Sequence, residues 1–186
     1  MDYPATTPNA AERLPGDLMM WVLIISELLV FGAGLAAFMA VRTSDPAGFA
    51  EGRQALHGVA AGLNTMLLVT SGWCAALAVR AVEAGAERQC RMLLAAASAL
   101  GAGFLAVKAW DYASLAALGH GLDDTAFFTF YFLLTGFHAA HVVAGIVILA
   151  LVGWKIAPRT VETGVAFWHM VDLVWVLLFP VIYLLP

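Results

Sequence analysis

Apolar residues fall into five blocks along the chain, at about 17–41, 62–80, 92–115, 126–154 and 164–185, and the short polar connectors between them hold most of the Arg, Asp, Glu and Pro. A helix rising about 1.5 Å per residue needs roughly 20 apolar residues to cross a hydrocarbon core of about 30 Å, and each block is of that length. Runs such as 90–103 (CRMLLAAASALGAG) and 137–151 lack the two-residue alternation of a membrane β-barrel strand. The pattern predicts an all-α polytopic membrane protein, a bundle of five transmembrane helices over 17–186, preceded by a polar arm over 1–16 (MDYPATTPNAAERLPG). That arm has no apolar run of its own and does not read as a cleavable signal.

Lys and Arg give the expected orientation. The N-terminal arm and the connectors near 81–91 and 155–163 share one side and carry Arg13, Arg80, Arg88, Arg91, Lys155 and Arg159, whereas the other side has Arg42 and Arg53. The bias places the N-terminus in the cytoplasm and the multi-pass chain in a bacterial inner membrane. Composition agrees: 62% of the 186 residues are hydrophobic and 12% charged, with a mean hydropathy of +0.88. A net charge of −4 offers no basic field for a phosphate backbone, so a nucleic-acid partner is excluded. Cys74 and Cys90 follow no metal spacing and read as packing residues.

Helices in lipid associate where small residues let backbones approach. Gly136, Ala140 and Ala144 make such a stripe on the fourth span, Ala97 and Gly101 on the third, and Gly32 and Ala36 on the first. Trp110, Tyr112 and Trp154 sit near span ends and read as interfacial anchors.

Ionisable groups inside a span are costly and mark sites. Glu27 lies ten residues after Asp17, about 15 Å deep, with no cation one turn away on its own helix, so a protonated carboxyl held by a fourth-span histidine is expected. The pairs His138/His141, His169/Asp172 and Lys108/Asp111 each have i, i+3 spacing and share a helical face. Lys108 and Asp111, near the outer end of the third span, are expected to snorkel or to pair with each other. Counted from the span edges, His169 lies about 7 Å deep and His141 about 15–20 Å, which argues against a shared haem. The histidines then serve as hydrogen-bonding links between helices or as lipid-headgroup contacts. Glu27 has two readings, a register-fixing carboxyl or a proton-handling one. Trp168 and Trp175 flank His169 and Asp172 in what reads as a packed core. No Ser/His/Asp set, glycine-rich phosphate loop or cysteine cluster occurs, so neither a catalytic residue nor a metal site is assigned.

Four segments carry a resemblance. MWVLIISELLVFGAG (20–34), LNTMLLVTSG (63–72), FFTFYFLLTGFHAAHVVAGIVIL (127–149) and VETGVAFWHMVDLVWVLLFPVIY (161–183) resemble subunit III of haem-copper oxidases, the cytochrome c oxidase subunit III family. The resemblance implies a subunit without redox centres that packs on catalytic subunit I of a terminal oxidase or nitric oxide reductase. Haem and copper then belong to the partner, phospholipid is the one ligand allowed for this chain, and its role is to support stability and proton uptake. Glu27 matches the family's carbodiimide-reactive intramembrane carboxyl, and His138, His141, Glu162, His169, Asp172 and Trp175 match signature positions. Lys108 stands where the family commonly has Gln, Asp111 where it has Glu, and Met170 where it has Phe, and the aromatic ending is replaced by Leu184, Leu185 and Pro186. Longer members have seven helices; the five-helix form resembles the quinol-oxidase and NorE-type branches, with a preference for NorE. Two readings from other classes are a small b-type cytochrome, from the five histidines, and a proton-coupled transporter, from Glu27, Lys108 and Asp172.

Overall fold

In lipid no water satisfies an open backbone, and the chain meets that demand with helices. A computed structural model describes residues 18–185; the polar arm over 1–16 and its Arg13 lie outside the described residues. The helices are α1 (Leu18–Ser44), α2 (Pro46–Gln54), α3 (Gly58–Glu83), α4 (Glu87–Ala117), α5 (Ala126–Trp154) and α6 (Pro158–Phe179), and α6 continues as a π-helical turn over Pro180–Leu184. Five of them, α1, α3, α4, α5 and α6, are long and apolar enough to span a bilayer. Inner and outer below follow the orientation expected from Lys and Arg.

The helices overrun the apolar blocks. Arg80 and Glu83 close α3, and Glu87, Arg88 and Arg91 open α4, so both helices extend past their apolar stretches. Their connector is three residues long and turns at Gly85, whose φ of 73° favours glycine. The outer connector after α1 is itself helical: Asp45 caps α2 by accepting from the Gly48 amide at 3.0 Å, and Pro46 occupies the first turn. Phe49 of α2 then packs edge-on against Phe38 of α1 and Phe127 of α5, with centroids 5.1 and 5.6 Å apart.

The core lies along α6, the most enclosed span, and α1 is the least enclosed. Trp168 of α6 is fully buried. Its indole lies so close to two glycines that a Cβ on Gly101 of α4 would be 2.6 Å from its Cη2, and one on Gly145 of α5 would be 2.5 Å from its Cε3. The indole Nε1 donates to Ser71 Oγ at 3.0 Å, and Ser71 donates to the Ala97 carbonyl at 2.7 Å. One side chain thereby holds α3, α4, α5 and α6 together.

Ala97 and Gly101 of the small-residue stripes form part of this contact, but Gly32, Ala36, Ala140 and Ala144 are exposed. The α5 face packed within the chain instead runs through Tyr131, Thr135, His138, Val142, Gly145 and Leu149. Trp110 and Trp154 are exposed near span ends, whereas Tyr112 turns inward to bond Thr135 Oγ1 at 2.6 Å. Cys90 is buried and Cys74 half-buried.

Gly101→Leu or Gly145→Leu therefore overpacks the Trp168 slot and is expected to lower stability by at least about 1–3 kcal/mol. Ala144→Leu on the exposed α5 face is expected to stay within about 0.5 kcal/mol. Thermal unfolding in detergent distinguishes the two groups.

Candidate functional site

The intramembrane carboxylate of α1 meets a fourth-span histidine. Glu27 Oε2 lies 3.1 Å from His141 Nε2, both side chains being mostly buried. The other ring nitrogen, Nδ1, lies 2.9 Å from the Phe137 carbonyl and donates to it. A neutral His141 with Nδ1 so engaged turns a lone pair at Nε2 toward the carboxyl, and Glu27 Oε2 makes no hydrogen bond among the described residues. Phe31 of α1 closes over this pair, its ring centroid 5.4 Å from that of His141.

His138, one turn away, behaves differently. It is fully buried and neither ring nitrogen has a hydrogen-bond partner among the described residues. Its ring stacks on Trp175 at 5.2 Å and meets the edges of Phe104 and Phe31 at 5.6 and 6.4 Å. Among the described residues the expected interhelical hydrogen bond is absent; the α5 backbone aims this ring into the aromatic core while His141 faces α1.

Trp175 leads from His138 to a second cluster. Its Nε1 donates to Thr65 Oγ1 at 2.9 Å, and Lys108 Nζ sits 5.6 Å from its ring. Lys108 does not snorkel: it is only 3% exposed. Its three donors reach Asp111 Oδ2 at 3.1 Å, Tyr131 Oη at 2.8 Å and Tyr183 Oη at 3.2 Å, so the ammonium is fully satisfied. Tyr131 donates to the same Asp111 oxygen at 2.5 Å, and His57 Nδ1 donates to its Oδ1 at 3.2 Å. Tyr131, Tyr183 and His57 were not singled out from the sequence, because they lie 20, 72 and 54 residues from Asp111. A usable signal was present: Lys108, Tyr131 and Tyr183 all fall near outer helix ends, and an intramembrane ion pair needs further polar partners.

His169 and Asp172 form a third group, with Nδ1 3.8 Å from Oδ2. Asp172 is buried against Gly72 of α3, and its Oδ1 has no hydrogen-bond partner among the described residues. α6 starts at Pro158, ahead of the apolar block, so His169 lies about 16 Å along the helix from its first residue. Glu162 lies two turns nearer the start of α6 and, with His169, lines a groove of about 310 Å³ between α1 and α6. Among the described residues no group of three or more His, Cys, Asp or Glu is placed to hold a metal ion.

The Lys108 cluster is the most heavily satisfied polar group in the membrane region, and losing its cation strands a buried carboxylate. Lys108→Met is expected to cost about 3–5 kcal/mol, and the paired replacement Lys108→Met/Asp111→Leu to recover most of that loss. A double-mutant cycle on thermal unfolding in detergent measures both.

A family model described as cytochrome c oxidase subunit III matches residues 13–185. Among characterised relatives, cytochrome c oxidase subunit 3 of Corynebacterium diphtheriae is 32% identical over 194 residues, covering 98% of this chain and 95% of the relative. The protein of the same name from Thermostichus vulcanus is 31% identical, covering 90% and 86%. Cytochrome bo(3) ubiquinol oxidase subunit 3 of Pseudomonas putida is 29% identical, covering 90% and 84%. The match to the family model takes in Glu27, the two α5 histidines and the Glu162 to Trp175 run alike, and the chain belongs to the cytochrome c oxidase subunit III family.

Proposed function

We propose that this multi-pass membrane protein works as the non-catalytic subunit III of a respiratory haem-copper oxidase-type complex, packed on catalytic subunit I and sustaining its stability and proton uptake. The observation that carries this reading is the family match over 13–185. In this reading the complex sits in a bacterial inner membrane with the N-terminus of this chain in the cytoplasm. The 1–16 arm lies outside the 17–186 transmembrane domain, haem and copper belong to the partner, and phospholipid is the ligand left to this chain.

Glu27 and His141 are the proton-holding pair of the proposal. Their approach, 3.1 Å from Oε2 to Nε2, brings a carboxyl and an imidazole within reach of one proton inside the membrane span. His138, His169 and Asp172 are the other intramembrane polar positions, and Glu162, Trp168 and Trp175 complete the signature run. The stripe of exposed Ala140 and Ala144 with half-buried Gly136 is the surface proposed to meet the partner, since small side chains permit close backbone approach.

Affinity purification from native membranes tests the assignment. The chain is expected to bring down a haem-copper catalytic subunit, with the haem absorbance following that subunit. Stoichiometric haem on the isolated chain, or substrate flux by the chain alone in liposomes, would overturn it. Ala140→Leu is expected to reduce recovery of the partner several-fold while leaving thermal unfolding of the chain unchanged. A hydrophobic carbodiimide, which reacts with the acid form, is expected to label Glu27, and Glu27→Gln to abolish both the label and a protonated-carboxyl infrared band.

A further inference from the structure

A second groove opens at the inner end of the bundle, where the first turn of α1 meets the end of α5 and the start of α6. Met20 of α1, Ile148 and Val152 of α5 and Gly164 of α6 make its apolar walls, and its volume is about 330 Å³. Gly164 keeps α5 and α6 close there: a Cβ on it would be 3.0 Å from Val152 Cγ2 and 3.3 Å from Ile148 Cγ2. Arg159, in the first turn of α6, is the one ionisable residue of the lining. The groove therefore joins aliphatic walls to a single positive charge, at the level where α6 leaves its apolar block.

The chain itself holds a complement to that combination. Residues 1–17 carry Asp2, Glu12 and Asp17 against Arg13, whereas the inner connectors carry Arg80, Arg88, Arg91, Lys155 and Arg159, so an acidic arm meets a basic surface. Within 4–17 Leu14 is the one large aliphatic residue, and it stands between Glu12 and Asp17. Leu14 is four residues ahead of Leu18, the first residue of α1, and four residues of chain span at most about 14 Å. Met20, two residues further on, already lines the groove. The segment is thus tethered at the groove's mouth, and so short a tether supplies it at an effective concentration in about the millimolar range. The family match also starts at residue 13, ahead of α1, so the end of the arm belongs to the matched body.

We propose that this inner groove is the docking site of the chain's own residues 12–17, with Leu14 seated on Ile148 and Val152 and the acids Glu12 and Asp17 facing Arg159. The docked segment ties the start of α1, the least enclosed span, to α5 and α6. The proposal concerns this chain alone and does not rest on the subunit III reading.

The test is disulfide trapping in native membranes that hold the full chain. Leu14→Cys/Thr163→Cys, in a Cys74→Ala/Cys90→Ala background, is oxidised with copper phenanthroline and mapped by mass spectrometry. A disulfide between positions 14 and 163 of one chain is expected in a yield about fivefold or more above that of Leu14→Cys/Arg88→Cys, since Arg88 is exposed at the inner start of α4, away from the groove. Arg159→Glu is expected to lower the 14–163 yield by about fivefold or more, and Glu12→Lys/Asp17→Lys added to it to restore the yield, a rescue that mere damage to α6 does not allow. A 14–163 yield no higher than the 14–88 yield, or one that Arg159→Glu leaves unchanged, overturns the proposal. A disulfide found only between two copies assigns the groove to a second chain, and labelling of 159–164 by a photoactivatable phosphatidylglycerol without the disulfide assigns it to lipid; either overturns it as well.

Discussion

The bundle depends on one tight contact, the insertion of the Trp168 indole between Gly101 and Gly145. In lipid the hydrophobic effect does not drive helices together, because acyl chains are as apolar as leucine. Association then rests on van der Waals fit and interhelical hydrogen bonds, and Trp168 contributes both: two backbones without Cβ atoms accept its faces, and Ser71 accepts its N–H. Ser71 in turn donates to the Ala97 carbonyl, so the contact reaches α3 as well as α4, α5 and α6. Every polar site described above is suspended from these four helices, with α1 leaning against them through Phe31 and Glu27.

A cation in the membrane region is tolerated only when its surroundings are complete. Lys108 meets that condition with three hydrogen bonds, one carboxylate and the faces of nearby aromatic rings. The cluster also explains the end of the chain. Tyr183 reaches Lys108 from the π-helical turn after Pro180, and Arg53 of α2 donates to the Leu185 carbonyl at 3.0 Å, so the last turn is fastened from two sides. Asp111 fits this geometry as a short carboxylate one turn beyond Lys108, already held by Tyr131 and His57.

The five spans were legible because hydrocarbon thickness imposes a length that any ordering of apolar residues must satisfy. Their ends were less so: Arg80, Glu83, Glu87 and Arg88 stay helical because a helix keeps satisfying its backbone after it leaves the apolar layer, and composition alone marks only the layer. The Glu27 contact with a fourth-span histidine was readable from cost, since a deep carboxylate needs a partner and few were on offer. The burial of Lys108 was not, because it is decided by Tyr131 and Tyr183, which arrive from distant parts of the chain. Small-residue spacing had the same weakness on α5. It is repeated on two faces, and only the position of Trp168 on a neighbouring helix selects Gly145 for the inside and leaves Ala140 and Ala144 outside.

Trp175 links the two polar regions that the fold keeps apart. One side of its ring stacks on His138, which adjoins the Glu27–His141 pair, and Lys108 lies 5.6 Å from the same ring. An indole face is electron-rich and attracts a nearby cation. The same ring thus meets both the buried ammonium and the His138 imidazole. Trp175 therefore does more than fill volume: its indole touches both the ion-paired cluster around Lys108 and the His138 ring beside Glu27 and His141.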